Sequence, residues 1–250
     1  METVAELTVE EAQTWRDVKI ARQSAVDSVT FALWYKPRVL HPTRGFVPFR
    51  PYPYEKELLD ALDAHKRVIV LKSRQTGVTT TVMLQKLRRC LRPGTTVLVV
   101  SINEDRAKLN LKIARDALRH GPLPLRLVTD NTQRLEFDNG SALIAEASTP
   151  NVGRTYAASD VVLDECAALP WQDEMWRSLA PTVSRGGSIV VVSTPQVEGD
   201  LFHRLWEASR SPGSKWWART VHWRECPEFD QVWYETTRAD YSDADWEAEF

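Results

Sequence analysis

The stretch from Val68 to Thr81, Val-Ile-Val-Leu-Lys-Ser-Arg-Gln-Thr-Gly-Val-Thr-Thr-Thr, constrains this chain more than any other. Four apolar residues in a row, Val68 to Leu71, suit a short strand buried on both faces, and a polar turn with one glycine follows at once. A helix is expected from Thr79, with Val82, Met83, Leu84 and Leu87 on one face and Lys86, Arg88 and Arg89 largely outside it, until Pro93-Gly94 stops the run. Strand, tight polar loop and helix form the arrangement in which loop N–H groups and a helix N-terminus face phosphates, while a hydroxyl at the helix start ligates magnesium.

The loop departs from G-x-x-x-x-G-K-[ST]. Gly77 and Thr79 fit, Lys72 replaces the first glycine, and Val78 stands at the lysine position. An ordinary strand-to-helix turn is the competing reading. Lys72 weighs against it, because an ammonium at the mouth of the loop, on a flexible stem, can swing towards the phosphates that a lysine at position 78 would meet. The charge is relocated rather than lost.

The 250 residues make one large domain, or a domain with a small appendage. With 32 Lys plus Arg against 34 Asp plus Glu, the net charge of −2 gives no bulk attraction to nucleic acid or anionic lipid, so any DNA contact is local. Cys90, Cys166 and Cys226 are far apart and form no C-x-x-C pair, which argues against a disulfide framework or zinc knuckle and fits a reducing cytoplasm. No signal peptide and no apolar run near the roughly 18 residues of a membrane span are found, so no membrane role is expected. The ten tryptophans read mostly as packing, since no basic stripe accompanies them.

Residues 1 to 36 are expected to be a helical arm opened by a capping box at Thr8 and Glu11. Pro37 to Pro53, with five prolines, is expected to be extended and irregular, either an aromatic linker or an adenine-binding edge; it leads to a helix beginning at Tyr54-Glu55. Beyond the loop helix come a buried strand over Thr96 to Ser101 and an amphipathic helix over Asn103 to Arg119 carrying Ala107, Leu111, Ala114 and Leu118 inward. Leu125 to Val128, Arg134 to Phe137 and Ala142 to Ala147 suggest a β-excursion at the sheet edge, with a hairpin turn at Asp138-Asn139-Gly140. Asp160 to Leu163 and Ser188 to Val192 complete four buried runs, which predict an α/β fold: a mainly parallel sheet flanked by helices. Residues from about 212, rich in Trp, are expected to form a small C-terminal lid beside a core over 46–211, with the arm and Pro-rich linker in 1–45.

In such a sheet, polar residues at the carboxyl ends of the strands converge on one crevice. Lys72 to Thr79, Asp164-Glu165 and Ser193-Thr194 all lie at such ends. Acidic pairs there are often helix caps, and Ser193-Thr194-Pro195 suits a strand-ending turn. Beside a phosphate loop, however, Asp164 is placed to hold the magnesium shell and Glu165 to orient and deprotonate a water.

With these residues in hand, the chain from about 46 to 250 resembles the ATPase domain of the large terminase subunit, the DNA-packaging motor of tailed bacteriophages. The resemblance rests on Lys-Ser-Arg-Gln-Thr-Gly-Val-Thr-Thr (72 to 80) as Walker A and Val-Val-Leu-Asp-Glu-Cys-Ala (161 to 167) as Walker B. Val-Val-Ser-Ile-Asn-Glu-Asp-Arg-Ala (99 to 107) and Asp-Asn-Gly-Ser (138 to 141) support it. It implies a P-loop NTPase of the additional-strand, catalytic-glutamate (ASCE) type that uses ATP and Mg2+. Lys72, Ser73, Arg74, Gln75, Thr76, Gly77, Val78, Thr79 and Thr80 would bind the nucleotide, together with Tyr54 and Glu55. Thr79 and Asp164 would hold the metal, Glu165 would activate water, and Ser193 and Thr194 would couple the γ-phosphate to motion. Arg154, after Gly153 and ten residues ahead of Asp164, takes the place of an arginine finger. Glu55 stands where the family carries an adenine-reading glutamine, and an ionised carboxylate cannot donate to the base. The implied partners are double-stranded DNA, a portal protein, a small terminase subunit and further copies in a ring, in the cytoplasm of an infected bacterium. The family's nuclease domain normally follows, so the chain is expected to hold the motor without the cutter, stopping inside a helix opened by Ser242. A helicase-like ATPase and a nucleotide-binding module without turnover are the alternatives.

Overall fold

The computed structural model describes residues 9–121, 123–181 and 186–250. In chain order come α1 (Val9–Ala25), α2 (Ser28–Tyr35), β1 (Arg38–His41), β2 (Gly45–Pro48), α3 (Pro53–Ala64), β3 (Arg67–Lys72) and α4 (Val78–Arg89). Next are β4 (Thr96–Ser101), α5 (Glu104–His120), β5 (Leu127–Asp130), β6 (Arg134–Phe137), β7 (Ala142–Ala147) and β8 (Asp160–Asp164). The rest are α6 (Gln172–Leu179), β9 (Ser188–Ser193), α7 (Leu201–Arg210), β10 (Trp217–Val221), α8 (Gln231–Arg238) and α9 (Asp243–Glu249).

One sheet of eight strands runs in the order β10-β3-β9-β8-β4-β7-β6-β5. The first six are parallel, and β6 and β5 add antiparallel strands at one edge. The apolar runs alternate between two helix layers, as the period of two requires. Val68, Val70, Val97, Val99, Val162, Val190 and Val192 pack with α2 to α5. Ile69, Leu98, Val100, Val161, Leu163, Ile189 and Val191 pack with α6 and α7. Both faces being covered, the central residues of these strands lose contact with water, at about 1.5–3 kcal/mol of stabilisation per large apolar side chain. Strand β9 lies between β3 and β8. The loop after β3 and the acidic pair after β8 are therefore two strands apart, at the same carboxyl edge.

Four expectations change. The arm is two helices, because Asp27 caps α2 by accepting from the Thr30 amide, and Phe31 and Ala32 of α2 belong to the main core; Thr8 of the expected capping box lies outside the described residues. Pro37 to Pro53 is not irregular. It forms the β1–β2 hairpin, paired from Arg38↔Pro48 to His41↔Gly45, since its prolines fall at the ends and turn, where no ladder N–H is needed. Helix α4 has no solvent face at Lys86 and Arg88, which are buried: Lys86 pairs with Asp160 at 2.9 Å and Arg88 with Asp63 at 2.7 Å. Lastly, the expected lid over 212–250 includes β10, which pairs with β3 from Trp217↔Val68 to Val221↔Lys72 and is an edge strand of the central sheet. Among the described residues no helix is long and apolar enough to cross a membrane.

Candidate functional site

The loop is built from below. Tyr54, the second residue of α3, donates its hydroxyl to the Thr76 carbonyl at 2.6 Å. Glu55 accepts from the Tyr52 amide at 2.8 Å and from the Thr81 hydroxyl at 2.9 Å, tying the start of α3 to the first turn of α4. Gly77 caps α4 at φ 77°, and a Cβ there would stand 2.6 Å from Glu55 Oε1, so both conformation and space demand glycine. Burial pushes the Glu55 carboxyl up to about 7, against the lowering effect of the Tyr52 amide and Thr81 hydroxyl. Tyr54 and Glu55 thus support the loop from beneath and are not among the residues that line the crevice, where nucleotide contact is expected of both.

Ser73 also turns away from the crevice. Its hydroxyl donates to the Phe250 carbonyl at 2.6 Å and accepts from the Trp223 amide at 3.0 Å, and its own amide donates to Val221, so it fastens the loop to the segment after β10. Arg74 sends its amide to the Glu249 carbonyl at 2.9 Å and its guanidinium to the Glu249 carboxylate. Trp223, Trp233, Tyr234, Trp246 and Phe250 pack ring against ring behind this contact.

Across the crevice, Asp164 ends β8. It accepts from the Thr79 hydroxyl at 3.0 Å and from the Asn110 side-chain amide at 2.8 Å. Burial raises its carboxyl above the usual range, with Glu165 adding repulsion; Asn110, Lys72 and Thr79 offset only part of this. Glu165 follows in the left-handed region at φ 51°, a costly conformation for a residue without special reason to adopt it. That turn aims its carboxylate at Lys72, whose ammonium lies 2.8 Å from Oε1, while Oε2 accepts from the Thr194 amide at 3.4 Å. Thr194 lies on the crevice wall. Ser193 does not: its hydroxyl accepts from the Ala167 amide at 3.0 Å and braces the turn after Glu165. Ser193, expected near a γ-phosphate, is held in this brace and is not among the residues that line the crevice.

These groups enclose a cavity of about 430 Å³. Lys72, Arg74 to Thr80, Glu165 and Thr194 line it as expected; Ile102, Arg106, Ala168 and Gln196 were not anticipated. Asn110 was missed as well. Its signal was a polar residue among Ala107, Leu111 and Ala114 on a buried helix face, and it is itself buried, donating also to Ser101 at 2.9 Å. Arg154 is not part of this wall. It ends the short helical turn Val152–Arg154 and is exposed, and the turn is pressed on α6 so closely that a Cβ on Gly153 would stand 2.7 Å from the Ser178 carbonyl.

The donor set at Asp164 fits magnesium. A hydroxyl and a buried carboxylate offer hard oxygens, and the carboxylate has neutral partners, Thr79 and Asn110, in direct hydrogen bonds, with no cation bonded to it among the described residues. A small ion that keeps most of its waters needs no larger cage. Among the described residues no group of three or more His, Cys, Asp or Glu forms such a cage.

No protein-family model matches the chain. Solved structures do. The large terminase ATPase domain of Thermus phage P74-26 superposes with a TM-score of 0.65 at 20% identity, over 81% of this chain and 93% of that one. The large terminase of bacteriophage HK97 gives 0.61 at 13% identity, over 86% of this chain and 49% of its own. The large terminase of a thermophilic bacteriophage, solved with ADP, gives 0.64 at 10% identity, over 80% of this chain and 52% of its own. The chain therefore spans about half the length of the latter two. With β9 between the loop strand and the acidic strand and the crevice at their carboxyl ends, the chain shares the fold of phage large terminase ATPase domains.

Proposed function

We propose that the chain is an ATP-hydrolysing motor domain that couples hydrolysis to translocation of double-stranded DNA into a capsid. The observation that carries this reading is the convergence of Lys72, Thr79 and Glu165 on one crevice at the carboxyl edge of the sheet, with Asp164 behind it accepting from Thr79. Lys72 and the amides of the loop hold the phosphates, and Thr79 and Asp164 hold Mg2+, which when bound neutralises phosphate charge. Glu165 is the base. Its bond to Lys72 restrains it until phosphate competes for the ammonium, which leaves Oε1 free to accept a proton from water. The Thr194 amide keeps the carboxylate oriented and links it to the end of β9, a path by which hydrolysis reaches the rest of the sheet. Arg154, exposed and outside its own pocket, acts on the nucleotide of a neighbouring copy in a homo-oligomeric ring seated on a portal protein, with a small terminase subunit presenting DNA in the host cytoplasm.

Nucleotide binding and ATP turnover test the reading. Glu165→Gln is expected to bind ATP and lose about a hundredfold or more of its turnover, and Lys72→Ala to lose both. Parental turnover in Glu165→Gln rules out its role as base. Mixing Arg154→Ala with Glu165→Gln under assembling conditions should restore turnover above either alone; a mixture no better than its parts rules out action in trans.

A further inference from the structure

Among the described residues three cations line the crevice: Lys72, Arg74 and Arg106. Two already hold a carboxylate, Lys72 that of Glu165 and Arg74 that of Glu249. The side chain of Arg106 makes no ion pair or hydrogen bond among the described residues, and the acids next to it, Glu104 and Asp105, are within 3.5 Å and 3.3 Å of Lys108 instead.

The backbone fixes where Arg106 stands. Asn103 caps α5 and accepts from the Arg106 amide at 3.0 Å, so Arg106 occupies the first turn, just past the carboxyl end of β4. Asn110 lies four residues on and shares its face of the helix. That face is anchored, because Asn110 is buried and donates to Asp164 at 2.8 Å and to Ser101 at 2.9 Å. One turn nearer the start of the helix, Arg106 is exposed and lines the same crevice as Lys72, the loop from Arg74 to Thr80, and Glu165. A planar, permanently charged group with paired donors suits the spread charge of a terminal phosphoryl group better than an ammonium does.

We infer that Arg106 contacts the γ-phosphate of ATP bound to its own chain, supplying in cis the charge that Val78 does not. This rests on the nucleotide reading above. Lys72 meets the phosphates from the mouth of the loop, and Arg106 meets them from α5 across the crevice. The charge removed at position 78 is therefore replaced from two elements, and the chain keeps a basal turnover that needs no neighbour.

The test compares a non-hydrolysable ATP analogue with ADP, each with Mg2+, in the parent chain, Arg106→Ala, Arg106→Lys and the control Lys108→Ala. A contact with the terminal phosphate predicts that Arg106→Ala weakens the analogue by about tenfold or more while ADP affinity stays within about twofold, and that turnover falls by about a hundredfold. Arg106→Lys should recover analogue affinity more than turnover, and Lys108→Ala should match the parent in both. Parental turnover and an unchanged analogue-to-ADP ratio in Arg106→Ala overturn the inference and leave the nucleotide reading standing. Equal loss of both nucleotides also overturns it. A parent chain that binds neither nucleotide overturns the nucleotide reading itself.

Discussion

Strand β8 begins with Asp160 and ends with Asp164, and helix α4 sends a side chain to each: Lys86 to the first and Thr79 to the second. The two carboxylates are nearly equally buried, at 1% and 7% exposure. Their electrostatics are opposite. At the amino end of the strand, burial alone would raise the Asp160 carboxyl, but Lys86, Arg89 and the Ser188 hydroxyl outweigh it and hold it at about 2. At the carboxyl end, Asp164 is raised, with hydroxyl and amide partners and the Glu165 charge beside it. One cluster is complete in itself and fastens helix to sheet; the other is short of positive charge. The same strand and helix thus supply a paired carboxylate at one edge and, among the described residues, a carboxylate without a bonded cation at the other.

This contrast can be broken from the locked end first. Lys86→Ala leaves Asp160 buried with Arg89 as its one remaining cation beside the Ser188 hydroxyl, among the described residues, and is expected to lower stability by about 3–5 kcal/mol, read by chemical denaturation. The acid limit should move with it. The pair's contribution is present above the unfolded carboxylate pKa near 3.8 and is lost as pH falls towards about 2, so the acid-side slope should shrink in the variant. A loss under about 1 kcal/mol would mean that the pair holds little together.

The other end should respond with the opposite sign. Asp164→Asn keeps the hydrogen bonds to Thr79 and Asn110 while removing the charge, so without Mg2+ or nucleotide the protein should melt at a higher temperature than the parent near neutral pH. Its turnover should fall by about a hundredfold or more. A variant that melts lower at every pH would place Asp164 with Asp160 among the structural carboxylates.

Glu55 sharpens the comparison with the smallest effect, because it is buried with hydrogen bonds but no cation. Its carboxyl is raised from 4.5 to about 7, so the folded state keeps a proton that the unfolded chain has released. Stability should therefore decline on the order of 1–3 kcal/mol as pH rises from about 4.5 to 7, and level off above. Glu55→Gln should flatten that decline, since a carboxamide can accept from Tyr52 and donate to Thr81. An unchanged pH profile would show that the decline comes from elsewhere.

Much of this site was legible in the residues. Val68 to Leu71 and Val161 to Leu163 are short, unbroken and bounded by polar residues, which suits strands buried on both faces. Once they are parallel, Lys72, Thr79, Asp164 and Glu165 must share an edge. Lys86 and Arg88 were misread because periodicity reports the faces of one helix and not how many neighbours cover them. Here α2, α3 and the amino ends of β8 and β9 close over the charged side as well. Strand β10 was hidden for a related reason: Trp-Ala-Arg-Thr-Val is half polar, as an edge strand is, and resembles the segments around it.

The sequence alone determined the parallel sheet, the position of the loop and the edge at which the acidic pair lies, because these follow from local apolar runs and the polar residues that end them. Tertiary structure decided which polar side chains serve the crevice. Ser73 is in the loop, Ser193 ends a central strand, and Tyr54 and Glu55 open the helix before the loop strand, yet their hydrogen bonds point into the scaffold. Asn110 and Arg106 come from a different unit of the chain and arrive by the packing of α5 on the sheet. A side chain's role depends on which unsatisfied donor, acceptor or charge it meets, and those partners are set by contacts between elements far apart in sequence, which no local pattern records.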